Sequence, residues 1–153
     1  MGKVRHSVNT WLQTLDKKLT LDESGRCFLQ RDNETGVVVY APEEGDEVFL
    51  YSDLMRIPDN SPPKFYEKIL TLNSQTSRTG GASITFESSS NQLLAIFAQP
   101  LKALDSQTFQ NILQNLPRTV ESLRSQLKDI WLDCQKNLSN TPLMPSISQM
   151  SHA

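Results

Sequence analysis

The sequence predicts an α+β fold, an antiparallel sheet packed by helices in the order α-β-β-β-α-β-β-α. Three observations carry this expectation. From Asp105 to about Leu138, Phe109, Leu113, Leu116, Val120, Leu123, Leu127, Ile130 and Cys134 recur at spacings of three or four, which makes one apolar stripe on a long helix. Between Arg26 and Tyr51, three short runs of β-forming residues are divided by Asp, Asn, Gly and Pro clusters. Between Ala82 and Ala98 an alternating run is followed by one that is apolar on both sides.

The elements follow in order. Val4, Val8, Trp11, Leu12, Leu15 and Leu19 share one helical face, opposite Asn9, Gln13, Asp16 and Lys17, so the first helix is expected over about 4–18. Asp22-Glu23-Ser24-Gly25 is turn chemistry. Arg26 to Arg31 is then a strand with Cys27 and Leu29 on one side. Val37 to Tyr40 and Val48 to Tyr51 complete an antiparallel meander. Ser61 and Pro62 suit an N-cap and first helical position, and Phe65, Tyr66, Ile69, Leu70 and Leu72 give a second helix over about 62–74. Ala82, Ile84 and Phe86 alternate with Ser83, Thr85 and Glu87, so that strand buries one face. Leu93 to Ala98 reads as a central strand. Asp105 is the expected N-cap of the last helix, where Ile112, Trp131 and Leu138 widen the stripe and Pro117 predicts a kink or break. Residues 1–138 form one domain on this reading. Residues 139–153 hold two prolines, four serines and no helical period, and are expected to be a disordered tail.

The chain has 153 residues, enough for one domain with a real core, and a formal net charge of −2. That balance gives no electrostatic reason to expect a nucleic-acid or anionic-membrane partner. No apolar run approaches the ~20 residues of a membrane span. Cys27 and Cys134 each sit in an apolar pattern and read as buried thiols of a reducing cytosol.

An enzyme needs a constellation of reactive groups, and the sequence offers none. His6 and His152 have no Cys or carboxylate at ligand spacing. Gly80-Gly81 lacks the spaced glycines and Lys of a phosphate loop. Glu43, Glu44, Asp46 and Glu47 do not follow the spacing of a calcium loop and read as a solvated turn. No catalytic residue, metal ligand or cofactor is expected. What remains is apolar surface: one small sheet must cover three amphipathic helices, which leaves some for partners.

Several local patterns resemble the class I type III secretion chaperones, the family of the Tir chaperone, over about residues 4–138. Trp11-Leu12-Gln13-Thr14-Leu15 leading to Leu19 and Leu21 is similar to the family's opening, and Leu21 to Leu29 to its acidic turn entering the first strand. Leu70-Thr71-Leu72-Asn73, Gly81-Ala82-Ser83-Ile84, and Leu93 to Leu104 followed by the long helix with Trp131 match later parts. Pro117 departs from the family's pattern. The resemblance implies a homodimer in the bacterial cytosol. It would bind the N-terminal segment of a secreted effector, keep it non-globular and help present it to the secretion ATPase. It implies a cargo groove with Trp11, Leu12, Leu15 and Leu19 on one wall and Phe28, Val37 and Val39 on the other. It implies a two-fold interface at Phe65, Ile69, Leu72, Ile84 and Phe86, an apolar set larger than so short a helix needs. The rival reading is a regulatory protein that sequesters a transcription factor on the same scaffold.

Overall fold

The structure is a computed structural model, described here for residues 2–140, with side chains to Asn137. Helix α1 (Lys3–Leu15) leads into strands β1 (Arg26–Leu29), β2 (Val37–Tyr40) and β3 (Glu47–Arg56). Helix α2 (Pro63–Asn73) and a single turn, α3 (Thr76–Thr79), precede β4 (Ser83–Glu87) and β5 (Gln92–Pro100). A 3₁₀ turn (Leu101–Ala103) delivers the chain to α4 (Ser106–Asn140). The five strands form one antiparallel sheet in the order β1-β2-β3-β5-β4, which makes β5 interior and leaves β1 and β4 at the edges.

Alternation along the strands sorts the sheet into two faces. Val37, Val39, Val48, Leu50, Leu54, Ile84, Leu93 and Ala95 enter one core with Val4, Val8 and Leu12 of α1, Phe65, Ile69 and Leu72 of α2, and the α4 stripe. On the opposite face Val38, Tyr40, Phe49, Tyr51, Leu94 and Ile96 are half-buried. There Arg26 lies 4.0 Å above the Tyr40 ring and donates to the Tyr51 hydroxyl at 3.3 Å.

Several expectations are corrected. Helix α1 stops at Leu15 rather than about residue 18, because Asp16 turns to an extended conformation and its carboxylate accepts from the Lys18 N–H at 2.9 Å. The α2 cap falls one residue later than expected: Pro62 is the N-cap and Pro63 the first helical residue, while the Ser61 hydroxyl bonds back to the Pro58 carbonyl. Strand β3 runs on through polar Ser52 and Asp53 to Arg56, with an irregularity in its pairing between Asp53 and Met55. Helix α4 continues through Pro117 without a break. Leu116 and Val120 on either side of that proline are buried, and their packing outweighs the roughly 3 kcal/mol that an interior proline costs. The helix also takes in Ser139 and Asn140, the first residues of the expected tail; residues 141–153 lie outside the described residues.

Two side-chain clamps fix the elements around the edge strand β1. Arg5 of α1 donates to the carbonyls of Ala41 at 2.9 Å, Ser24 at 3.3 Å and Glu23 at 3.5 Å, tying the helix to the turn before β1. Gly25 in that turn has φ +85°, and a Cβ there would stand 2.2 Å from the Ala41 carbonyl oxygen. Arg124 of α4 donates to the Asp53 carbonyl at 2.6 and 3.0 Å and to the Thr35 hydroxyl at 3.2 Å, holding the β1–β2 turn against α4.

Candidate functional site

The end of α1, the edge strand β1 with its following turn, and the first half of α4 do not close on one another. They enclose a cavity of about 440 Å³. Leu15, Asp16 and Leu19 come from the end of α1 and the chain after it. Phe28, Leu29, Gln30, Arg31, Glu34, Thr35 and Val37 come from β1, its turn and the start of β2. Gln110, Leu113, Gln114 and Pro117 form the α4 wall. The lining is mixed: Leu15, Leu19, Phe28, Leu29, Val37, Leu113 and Pro117 are apolar, and the rest are polar or charged. Phe28 is 62% exposed and Leu15 40% exposed, and both line this one cavity.

Local sequence explains this opening. Leu15 lies on the α1 stripe, but the helix ends there and no further turn covers it. The Phe28 ring lies over Gly36, where a Cβ would come within 2.5 Å of the ring. Gly36 thus admits the close approach that keeps this ring at the sheet edge. Thr35 bridges α4, its hydroxyl donating to Glu121 at 3.4 Å and accepting from Arg124. Cys27, on the inner face of β1, has its thiol pKa raised by burial and stays protonated within the core.

The residues expected at the groove separate into two groups. Leu15, Leu19, Phe28 and Val37 line the cavity together. Leu12 and Val39 are enclosed in the core and present no surface, since the α1 stripe faces the sheet until its last turn. Trp11 is half-buried with its ring 5.3 Å from that of Phe109, held against α4 rather than lining the cavity. The α4 wall and the turn residues Gln30, Arg31, Glu34 and Thr35 were absent from the sequence reading. The interrupted apolar pattern at Pro117 was the one signal pointing there.

The residues expected at the two-fold interface separate similarly. Phe65, Ile69, Leu72 and Ile84 are buried within the chain itself, and Phe65 meets the edge of Trp131 at 5.0 Å. They cover this chain's own core because α4 reaches far enough to pack on α2. Phe86 is 50% exposed, and Tyr66 and Leu70, on the other side of α2, are exposed with it.

A second cavity of about 220 Å³ lies on the opposite flank of α4, between Gly80, Phe97, Ile112, Leu116 and Thr119. Among the described residues no group of three or more His, Cys, Asp or Glu side chains could hold a metal ion, and no helix is long and apolar enough to cross a membrane.

A family model, that of the Tir chaperone protein (CesT) family, matches residues 8–124. The chain belongs to this family. By that membership it is a type III secretion chaperone, a binding protein and not an enzyme. Comparison with curated proteins gives no match. Among solved structures, the chaperone fold recurs in a chain of the ExsC–ExsE complex, with TM-score 0.67 and 21% identity over 82% of this chain and 97% of that one. A chain of the HopA1–SchA chaperone–effector complex gives TM-score 0.63 and 16% identity over 78% and 91%. A chain of the heterodimeric ExoU–SpcU complex of the Pseudomonas aeruginosa type III secretion system gives 0.58 and 17% over 77% and 95%.

Proposed function

We propose that this chaperone holds an extended segment of a secreted effector in the groove between α1, β1 and α4. The observation that carries the reading is the pairing of a cavity holding exposed apolar side chains with a sheet edge: Leu15, Leu19 and Phe28 lie beside β1, an edge strand whose Arg26 end is closed by Asp22. An extended chain seated there can add backbone hydrogen bonds to the β1 edge and bury alternate side chains in the cavity. Such a segment loses conformational freedom on binding, so apolar contacts are needed to offset that cost. The complexes of the similar folds, chaperone with effector among them, support the same reading.

The chaperone acts as a homodimer in the bacterial cytosol on this proposal, and presents its cargo to the secretion ATPase. On the same proposal the chaperone domain spans residues 1–138. Tyr66, Leu70 and Phe86 supply the apolar surface for the two-fold contact, joining a helix face to the β4 edge.

Co-purification from the native host, with mass spectrometry of the bound protein, tests the function. A secreted effector lost from the Leu15→Asp variant is the expected result. A transcription factor captured instead would support the regulatory rival, and a partner retained by Leu15→Asp would move the site elsewhere.

A further inference from the structure

Pro117 stands inside a continuous helix and on the wall of the groove. A proline there has no N–H to donate, and its ring presses on the carbonyl four residues earlier. That carbonyl belongs to Leu113. Leu113 and Pro117 both line the cavity, with Gln110 and Gln114 beside them. Residues four apart share a helix face, so the carbonyl released between them lies on the cavity side.

We infer that the Leu113 carbonyl is a fixed hydrogen-bond acceptor for the bound segment, and that Pro117 determines specificity by releasing it. The inference rests on the groove being an effector site. An extended segment beside β1 turns some of its N–H groups toward that strand and others away from it. Those turned away enter the cavity against α4 and leave water. Each needs an acceptor there, or its desolvation opposes binding. An unbroken helix wall offers only carbonyls that already accept the N–H four residues on, as the Asn115 carbonyl does while also accepting from the Thr119 hydroxyl at 3.3 Å, so a carbonyl without its helix partner is the better acceptor. Pro117 opens one such position. Gln110 and Gln114 present side-chain amides nearby, but Gln110 already donates to Ser106 at 3.4 Å and both amides rotate. The ligand is therefore an extended peptide that sets apolar side chains against Leu15, Leu19 and Phe28 and aims one backbone N–H at α4, and it does not need a basic side chain at that point.

The test restores the missing N–H. Pro117→Ala and Pro117→Val both return the helix donor, and Val also keeps apolar bulk where the proline ring was. The probe is a peptide selected on the parent protein from a phage-displayed library of random dodecapeptides, accepted when Leu15→Asp abolishes its binding, and then N-methylated one residue at a time. Both variants should bind the unmethylated probe about tenfold more weakly, about 1.4 kcal/mol, and melt at a higher temperature than the parent. N-methylation at one position should weaken binding to the parent by a similar factor and leave binding to both variants unchanged. Equal methylation losses in parent and variants, or weakened binding in Pro117→Ala but not in Pro117→Val, would overturn the inference and leave the groove assignment standing. A library that yields no probe sensitive to Leu15→Asp would overturn both.

Discussion

Two of the apolar regions left open among the described residues differ in what borders them. At the α1–β1–α4 groove, Leu15, Leu19 and Phe28 sit in a concave cavity beside an edge strand and among polar side chains. At the α2–β4 surface, Tyr66, Leu70 and Phe86 are exposed, and none of them lines either cavity. A concave site with backbone groups on offer suits a flexible extended chain, whose N–H and C=O groups must be satisfied as well as its side chains. An outward apolar face on a helix suits a second preformed surface of the same kind. Equal hydrophobicity thus supports two different kinds of partner.

Substitutions that trade one region for the core beneath it break this comparison most strongly. Phe65→Ala should lower stability by about 3–5 kcal/mol in a denaturant titration, because it empties a fully buried site against Trp131. A loss near zero would return Phe65 to the interface and undo the separation of core from surface on α2. Leu12→Asp should likewise prevent folding, whereas Leu15→Asp, three residues on, should fold normally by circular dichroism and lose effector binding by at least tenfold. Matching behaviour of the two variants would erase the boundary between core and groove on α1.

A milder effect is expected at the second region. Leu70 is 70% exposed, so Leu70→Asp should leave the fold of the chain intact, within about 0.5 kcal/mol. Light scattering should show the dimer dissociating at concentrations about tenfold higher than for the parent. An unchanged dimer that binds effector more weakly would join the two regions into one cargo surface.

The smallest effect sharpens the groove's α4 wall at its start. The Asp105 carboxylate accepts from the Thr108 N–H at 2.7 Å, and its pKa is lowered from the ordinary 3.8 by hydrogen bonding to Thr108. The folded value lies below the unfolded one. Its stabilisation is therefore complete above the unfolded value and is lost as pH falls through the folded value. Asp105→Asn keeps an oxygen acceptor but cannot titrate. Its melting temperature should fall below the parent's at neutral pH, and the gap should close in acid, below 3.8. A gap independent of pH would mean that charge at this cap contributes nothing to holding the helix.

The sequence by itself determined the main elements and their order. Periodicity alone identifies the α4 stripe and the inward row of Cys27 and Leu29 on β1, because side-chain direction follows from backbone repeat. Turn residues divide β1, β2 and β3 for the same local reason. Tertiary structure decided which apolar residues are covered. Leu12 and Leu15 belong to one stripe, yet one is core and the other groove, since covering depends on where the opposing layer ends. Phe65, Ile69 and Leu72 looked surplus beside a short helix, and α4 covers them from more than forty residues away in sequence. Pro117 read as a kink or a break because the local cost of a proline is fixed, while the packing of Leu116 and Val120 that keeps the helix unbroken comes from the rest of the fold. Local rules give direction and propensity; burial is a property of the assembled layers, and it separated the site from the core.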